Sequence, residues 1–236
     1  MGKFSEFTFG RSKLPERCLI YGGAYGARRK DWVRRSFDRW NRIRGNWMKY
    51  TFATKKRKNY MVVFNVYGGS MTLELLRLLR DGGVKRVCFV GSLGAKDLPI
   101  GRIVLPSKVI DRAGPVLADD PSSEIITPDE GSLTRLRRAL QDLRISHVEG
   151  TITSVPCVLH NIPGVKRFVE QDPAILGVEL EISTFYYYSK KDGLENYALL
   201  YVSDNEKHSI ISRAKNVREA RRNALRSITN VALELL

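Results

Sequence analysis

Apolar positions along this 236-residue chain follow two rhythms. Apolar-rich stretches of strand length occur at Arg17–Tyr21, Tyr60–Tyr67, Lys85–Val90, Ile103–Ile110, Val148–Leu159 and Tyr197–Val202, that at Tyr60–Tyr67 being a continuous run, and they read as strands. Elsewhere apolar residues recur every three or four positions, which predicts helices. Ser70–Arg80 carries Leu73, Leu76 and Leu79 beside Leu75 and Leu78, offers Ser70 or Thr72 as N-cap, and stops at Gly82-Gly83. Lys30–Trp40, Ser132–Leu143 and Val165–Glu170 read as further helices, and Gly177–Ile182 starts another apolar-rich helical segment. The longest is Arg213–Leu236, with Val217, Ala220, Ala224, Ile228, Val231 and Leu235 on one face and Arg218, Arg222 and Arg226 on a solvated one. Glycines punctuate the strand exits, at Gly22-Gly23, Gly68-Gly69 and Gly91 to Gly94, so residues 60–95 form a β-α-β unit.

This alternation predicts an α/β chain, and composition narrows the class. With 43% apolar residues and no linker, repeat or low-complexity tract, 1–236 reads as one domain with residues 1–16 as an N-terminal extension. No apolar run reaches membrane-spanning length, and MGKFSEFTFGRSK has no leader-like apolar stretch, so the expectation is a cytoplasmic protein with no membrane partner. Cys18, Cys88 and Cys157 are odd in number and widely spaced, two of them inside apolar runs, and read as buried free thiols; no metal site is legible.

Charge is unevenly spread. The net charge is +15, yet residues 1–60 hold 17 of the 40 Lys and Arg against 4 of the 25 Asp and Glu. The cluster Lys55-Lys56-Arg57-Lys58, with Trp32, Phe37, Trp40, Trp47 and Tyr50 upstream, fits a solvated basic face, attraction of an anionic substrate, or nucleic acid.

Candidate chemistry gathers at three places. Gly91-Ser92-Leu93-Gly94 reads as a turn after a strand, where absent side chains let backbone N–H groups converge on an anion and Ser92 adds a hydroxyl. Glu179 and Glu181 flank Leu180 at the start of a helical segment, where positive potential favours carboxylates. Asp204 closes the strand-like run ending at Val202. These segments, in this order, resemble the nucleoside phosphorylase superfamily, which includes purine nucleoside and uridine phosphorylases and related nucleosidases. Gly91 to Ala95 match its Gly-Ser-x-Gly-Ala phosphate turn, Gly177 to Glu181 its Gly-Val-Glu-x-Glu with Leu180 in place of Met, and Ser203-Asp204 its base-contacting aspartate.

The resemblance covers roughly residues 17–236 and implies a three-layer α/β/α sandwich with a central mixed β-sheet. It implies cleavage of a purine nucleoside's N-glycosidic bond by phosphorolysis, giving free base and ribose 1-phosphate, with inorganic phosphate as co-substrate and no other cofactor. Glu179, Leu180 and Glu181 would hold the ribose, Asp204 would protonate the base with Arg221 polarising it, and Gly22, Arg28, Arg44 and Ser92 would bind phosphate. Arg44 resembles an arginine that reaches a neighbour's site, so a homo-oligomer built from dimers is implied. One departure matters: phosphorolytic members place an arginine two residues before the second glycine turn, and this chain has Phe89. Hydrolytic relatives also lack that arginine. A hydrolytic nucleosidase, or a catalytically weak RNA-binding relative, therefore stays open.

Overall fold

The computed structural model describes residues 2–23, 27–46, 48–112, 114–157 and 172–236, with residues 27–29 described by their backbone alone. The first quarter runs α1 (Lys3–Phe9), β1 (Arg17–Gly22), α2 (Ala27–Arg34), β2 (Arg39–Trp40), β3 (Lys49–Lys55) and β4 (Lys58–Val66). There follow α3 (Gly69–Asp81), β5 (Arg86–Ala95), β6 (Ile103–Asp111), α4 (Pro115–Asp119), β7 (Ile125–Ile126), α5 (Glu130–Asp142) and β8 (His147–Ser154). The last part is β9 (Ile175–Glu179), α6 (Ile182–Lys191), β10 (Glu195–Asp204) and α7 (Lys215–Leu235).

The strands form one mixed sheet in the order β10-β6-β8-β9-β5-β1-β4-β3-β2, with β7 on β6. Because β10 also pairs with β5, the sheet closes on itself over those strands. Strands buried on both faces need continuous apolar runs, which is what Leu19–Tyr21, Met61–Phe64 and Val87–Val90 supply. Leu75, Leu76 and Leu79 of α3 and Phe185 of α6 pack on one face, Leu136 of α5 and Ile228 of α7 on the other. The layers are helix, mixed sheet, helix, as the resemblance implies. Within residues 60–95, β4 and β5 are not neighbours: β1 lies between them and is parallel to both.

Several element boundaries depart from the periodicity. The helix expected over Lys30–Trp40 ends at Arg34, and Arg39-Trp40 pair antiparallel with β3. Aromatic packing wins there, since the Phe37 ring meets Tyr60 at 5.6 Å and Trp40 meets Phe64 at 6.1 Å. The expected glycine turn after Val90 is instead a continuation of β5 to Ala95. Gly177 belongs to β9 rather than to a helix, because a Cβ there would lie 2.3 Å from the Gly94 carbonyl oxygen; glycine lets the two strands cross closely. The N-cap of α3 is Gly68, with φ 81°, in place of Ser70 or Thr72. Cys18 and Cys88 are buried free thiols, but Cys157 is only half-buried. The helix expected at Val165–Glu170, the end of the strand expected to reach Leu159, and the side chain of Arg28 lie outside the described residues.

Residues before β1 join the core. Asp81, at the end of α3, accepts the backbone N–H groups of Gly2 (2.8 Å), Phe4 (3.1 Å) and Ser5 (3.1 Å), closing the free amides at the start of α1. The Phe9 ring then packs edge-on against Tyr50 at 5.0 Å, fully buried. Phe9→Ala should lower unfolding free energy by about 3–5 kcal/mol, the usual cost of emptying a buried aromatic site. Urea unfolding followed by far-ultraviolet circular dichroism checks this; a loss under about 1 kcal/mol would mean the N-terminal segment is an appendage.

Candidate active site

Parallel strands bring their C-terminal ends to one edge, where α/β sheets open a crevice. Gly22 lies opposite Val66, Ser92 opposite Tyr201 and Asp204 opposite Gly94. Beyond β4 the chain turns through Gly68 into α3, and beyond β9 it turns through Leu180 and Glu181 into α6.

The second turn is where buried carboxylates meet. Glu179 ends β9, and its Oε2 accepts the backbone N–H of Glu181 (2.6 Å) and of Ile182 (2.8 Å). Its Oε1 accepts from the Ser154 hydroxyl, which in turn accepts the Ser183 N–H at 2.9 Å. The Ser183 hydroxyl donates to Asp111 Oδ1 at 2.6 Å. Glu179 thus spends both oxygens closing the start of α6. Glu181 reaches the other way, accepting the Gly68 N–H at 2.7 Å with Oε1, so it bridges the starts of α6 and α3. Leu180, between them, is buried.

Burial pushes the Glu179 carboxyl up from its ordinary value, opposed by the Ser154 hydroxyl and the two amides. Burial likewise pushes Glu181 up, and the nearby Glu179 adds to the shift, while the Gly68 and Leu180 amides oppose it. With three donors at Glu179 and like charge beside it, Glu181 is the carboxyl that holds a proton to higher pH. Tyr67, exposed beside this pair, has its phenol raised by burial and then by Glu181 and Cys157.

At the far side of the crevice, Asp204 Oδ1 accepts from the Ser203 hydroxyl at 2.5 Å, and its other oxygen lies against Gly94. Arg221 is 7% exposed and spreads its guanidinium over the loop that follows β10. It donates to the carbonyls of Ser203 (2.6 Å), Ser209 (2.9 Å), Ile210 (3.0 Å) and Ser212 (3.3 Å). It therefore holds the backbone next to Asp204. That loop and the residues after β5 border a cleft of about 500 Å³, lined in part by Asp97, Asn205, His208 and Asn216.

The residues expected to hold phosphate are less tightly gathered. Gly22 is buried under Phe89, whose ring would come within 2.4 Å of a Cβ at that position. Phe89 also packs on Phe185 at 5.4 Å. The aromatic ring thus fills the space beneath the first glycine loop. Ser92 is half-buried and its hydroxyl makes no hydrogen bond among the described residues. Arg44 is exposed on a short hairpin, held by paired backbone hydrogen bonds with Tyr50, and its guanidinium has no ion pair among the described residues.

Asp111, Ser154 and Ser183 escape the sequence reading. Serines at a strand end and in a helix carry no motif, and an aspartate at the end of an apolar run reads as an ordinary turn residue. Their partners lie 25 to 72 positions away, so no local spacing reveals the network. Among the described residues no cluster suits a metal ion, and no described helix is long and apolar enough to cross a membrane.

The profile of the phosphorylase superfamily matches residues 44–236. Comparison with curated proteins gives no match. By fold the chain is similar to uridine phosphorylase from Vibrio fischeri ES114, with a TM-score of 0.82 and 16% identity over 94% of this chain and 91% of that one. It is similar to purine nucleoside phosphorylase from Toxoplasma gondii in complex with immucillin-H, with a TM-score of 0.80 and 13% identity over 94% and 92% of the two chains. It is also similar to 5′-methylthioadenosine/S-adenosyl homocysteine nucleosidase from Campylobacter jejuni, with a TM-score of 0.73 and 17% identity over 93% and 97%.

A raised carboxyl makes stability fall with pH. At pH below 4.5 the Glu181 carboxyl is protonated in both folded and unfolded chains; between there and about pH 8 the unfolded chain releases the proton first, so rising pH favours unfolding. Glu181→Gln removes the titrating group and keeps an acceptor for Gly68. Its stability relative to wild type should therefore climb from pH 5 to pH 8, measured by urea unfolding at several pH values. A difference that stays constant with pH would place the charge on Glu181 throughout.

Proposed function

This chain belongs to the phosphorylase superfamily, and we propose that it cleaves the N-glycosidic bond of a purine nucleoside. The observation that carries the reading is the pairing of a desolvated carboxylate, Glu181, held between two helix starts, with Asp204 at the end of β10 on the same edge of the sheet. Glu181 holds its proton up to about pH 8 in the free protein. Once that proton is lost, its carboxylate suits two tasks: it accepts the vicinal ribose hydroxyls, and it stabilises positive charge developing on the sugar carbon as the bond to the base breaks. Asp204, as the carboxylic acid, donates a proton to a ring nitrogen of the departing purine. Arg221 acts on Asp204 through the Ser203 carbonyl and the loop it braces. Glu179 is a positioning residue, since its oxygens hold the amides of Glu181 and Ile182. Solved structures of similar fold include a uridine phosphorylase, a purine nucleoside phosphorylase and a 5′-methylthioadenosine/S-adenosyl homocysteine nucleosidase, which supports a nucleoside as the substrate.

For the nucleophile, we propose water. The Phe89 ring beneath Gly22 and against Phe185 leaves an apolar floor where an arginine would pair with phosphate. One missing charge-assisted pair costs roughly 1.5–3 kcal/mol of anion binding. Water attacks the sugar carbon as the carbon–nitrogen bond breaks with its electron pair going to the base. The base keeps the proton from Asp204, the proton released by the attacking water returns through solvent to the Asp204 carboxylate, and the products are free ribose and neutral base. Phosphorolysis is the second reading. It is favoured by the Ser92 hydroxyl and the Arg44 guanidinium, which among the described residues have no hydrogen-bond and no ion-pair partner respectively, and in a homo-oligomer built from dimers Arg44 could reach a neighbour's site.

Asp204→Asn should cut turnover of the best purine nucleoside by about 100-fold or more, the usual worth of general-acid help, with the circular dichroism spectrum unchanged. A loss below about threefold would take Asp204 out of the chemistry.

Product analysis separates the two nucleophiles. The wild-type protein should release free ribose at a rate that varies little with phosphate concentration. Saturable phosphate dependence with ribose 1-phosphate as the sole product would restore phosphorolysis.

A further inference from the structure

The basic charge of the first quarter has little counter-charge among the described residues. Among the described residues, one cation of residues 1–60 forms an ion pair, Lys56 with Glu234 at 3.4 Å. Elsewhere in the chain Arg77, Arg80, Arg86, Arg135, Arg137 and Lys191 all pair with carboxylates. Cations that pair less often in the first quarter than elsewhere give the molecule a directed field.

Lys30 of α2 and the cations of the β3–β4 turn share one face. Contacts knit α2, the β2-β3-β4 edge and α7 together: the Arg222 guanidinium lies 5.9 Å over the Trp32 ring, Lys30 lies 5.8 Å over Phe64, and Lys56 reaches Glu234 near the end of α7. β2 is the last strand of the sheet and turns Trp40 toward this face, its neighbour Arg39 lying on the opposite one. Between β3 and β4, Lys55 pairs with Lys58 across a two-residue turn. Both central residues, Lys56 (φ 46°) and Arg57 (φ 64°), are left-handed, a backbone that suits Asn-Gly and that long side chains rarely adopt. The turn thus keeps exposed cations at its tip in a conformation unfavourable to them. Half-buried Trp32, Phe37 and Trp40 lie among these positive side chains. The carboxylates facing the same side are Asp31, Asp38, which accepts the Lys56 N–H at 2.8 Å, and Glu234.

We propose that this face binds single-stranded nucleic acid, the bare cations tracking phosphates and the half-exposed rings and the Arg222 plane offering surfaces to bases. An anionic membrane fits less well, because the strongly exposed aromatic side chains, Phe4 and Phe7, stand on α1 in the other helix layer. The tip of the turn lies at the start of β4 and the crevice at its end, nine residues or roughly 30 Å away, so the two sites do not overlap. The inference is independent of the nucleoside reading.

The test is fluorescence anisotropy of a labelled 20-nucleotide RNA of mixed sequence with the full chain at about 50 and 200 mM salt. Expected are submicromolar affinity at the lower salt and a fall of about tenfold or more at the higher, as counterion release requires. Lys56→Asn with Arg57→Gly should weaken RNA binding about tenfold while leaving nucleoside cleavage unchanged and thermal stability equal or higher, because Asn-Gly suits this turn. Arg34→Glu, on α2 one turn beyond Lys30, should also weaken binding. Absence of binding at low salt, affinity insensitive to salt, wild-type affinity in both variants, or capture by phosphatidylserine vesicles without RNA binding would each overturn the proposal.

Discussion

The Glu179 carboxylate on the amides of Glu181 and Ile182 is the contact on which the rest of the site depends. A helix start leaves N–H groups without partners, and a buried one left so costs about 1–3 kcal/mol. Here the partner comes from the strand that enters the turn. That choice ties β9 to α6 over two residues and leaves one geometry for the residue between cap and helix. Glu181 is that residue, aimed across the crevice at Gly68. Ser154, Ser183 and Asp111 extend the same bracing to β8 and β6, so strands far apart in sequence hold one carboxylate.

The opposite wall obeys apolar packing. Phe89 of β5 meets Phe185, one turn into α6, and occupies the space below Gly22 of β1. Burying such a ring contributes roughly 2–3 kcal/mol, and an arginine in its place would have to be paired or hydrated. One helix therefore carries both constraints: its first turn presents Glu181, and its next rests on an apolar floor. The pocket that results has carboxyls at the start of α6 and an apolar floor beneath Gly22.

Charge is segregated along the strands. Carboxylates gather where β4, β5 and β10 end, and bare cations where β4 begins. The separation of roughly 30 Å exceeds the screening length of about 8 Å at physiological salt. The net charge of +15 therefore does little to draw the proton from Glu181, whose environment is set by Glu179 and by burial.

Periodicity alone determined the strands β1, β4, β5, β6 and β10, the helices α3, α5 and α7, and hence the α/β class, because burial on two faces or one stripe writes itself into local spacing. The motif Gly177 to Glu181 and the strand-ending Asp204 were legible through the family resemblance, since each is contiguous in sequence. Short elements were not: Arg39-Trp40 became an edge strand through aromatic contacts with Tyr60 and Phe64, and Gly91 to Gly94 stayed extended because β9 and β10 pair there. Closure of the sheet through β5 and β10, the capping duty of Glu179, the Phe89 floor and the Arg221 brace were decided only by tertiary structure. Each depends on which distant groups are brought within hydrogen-bonding or packing distance and shut away from water, and no local pattern encodes that.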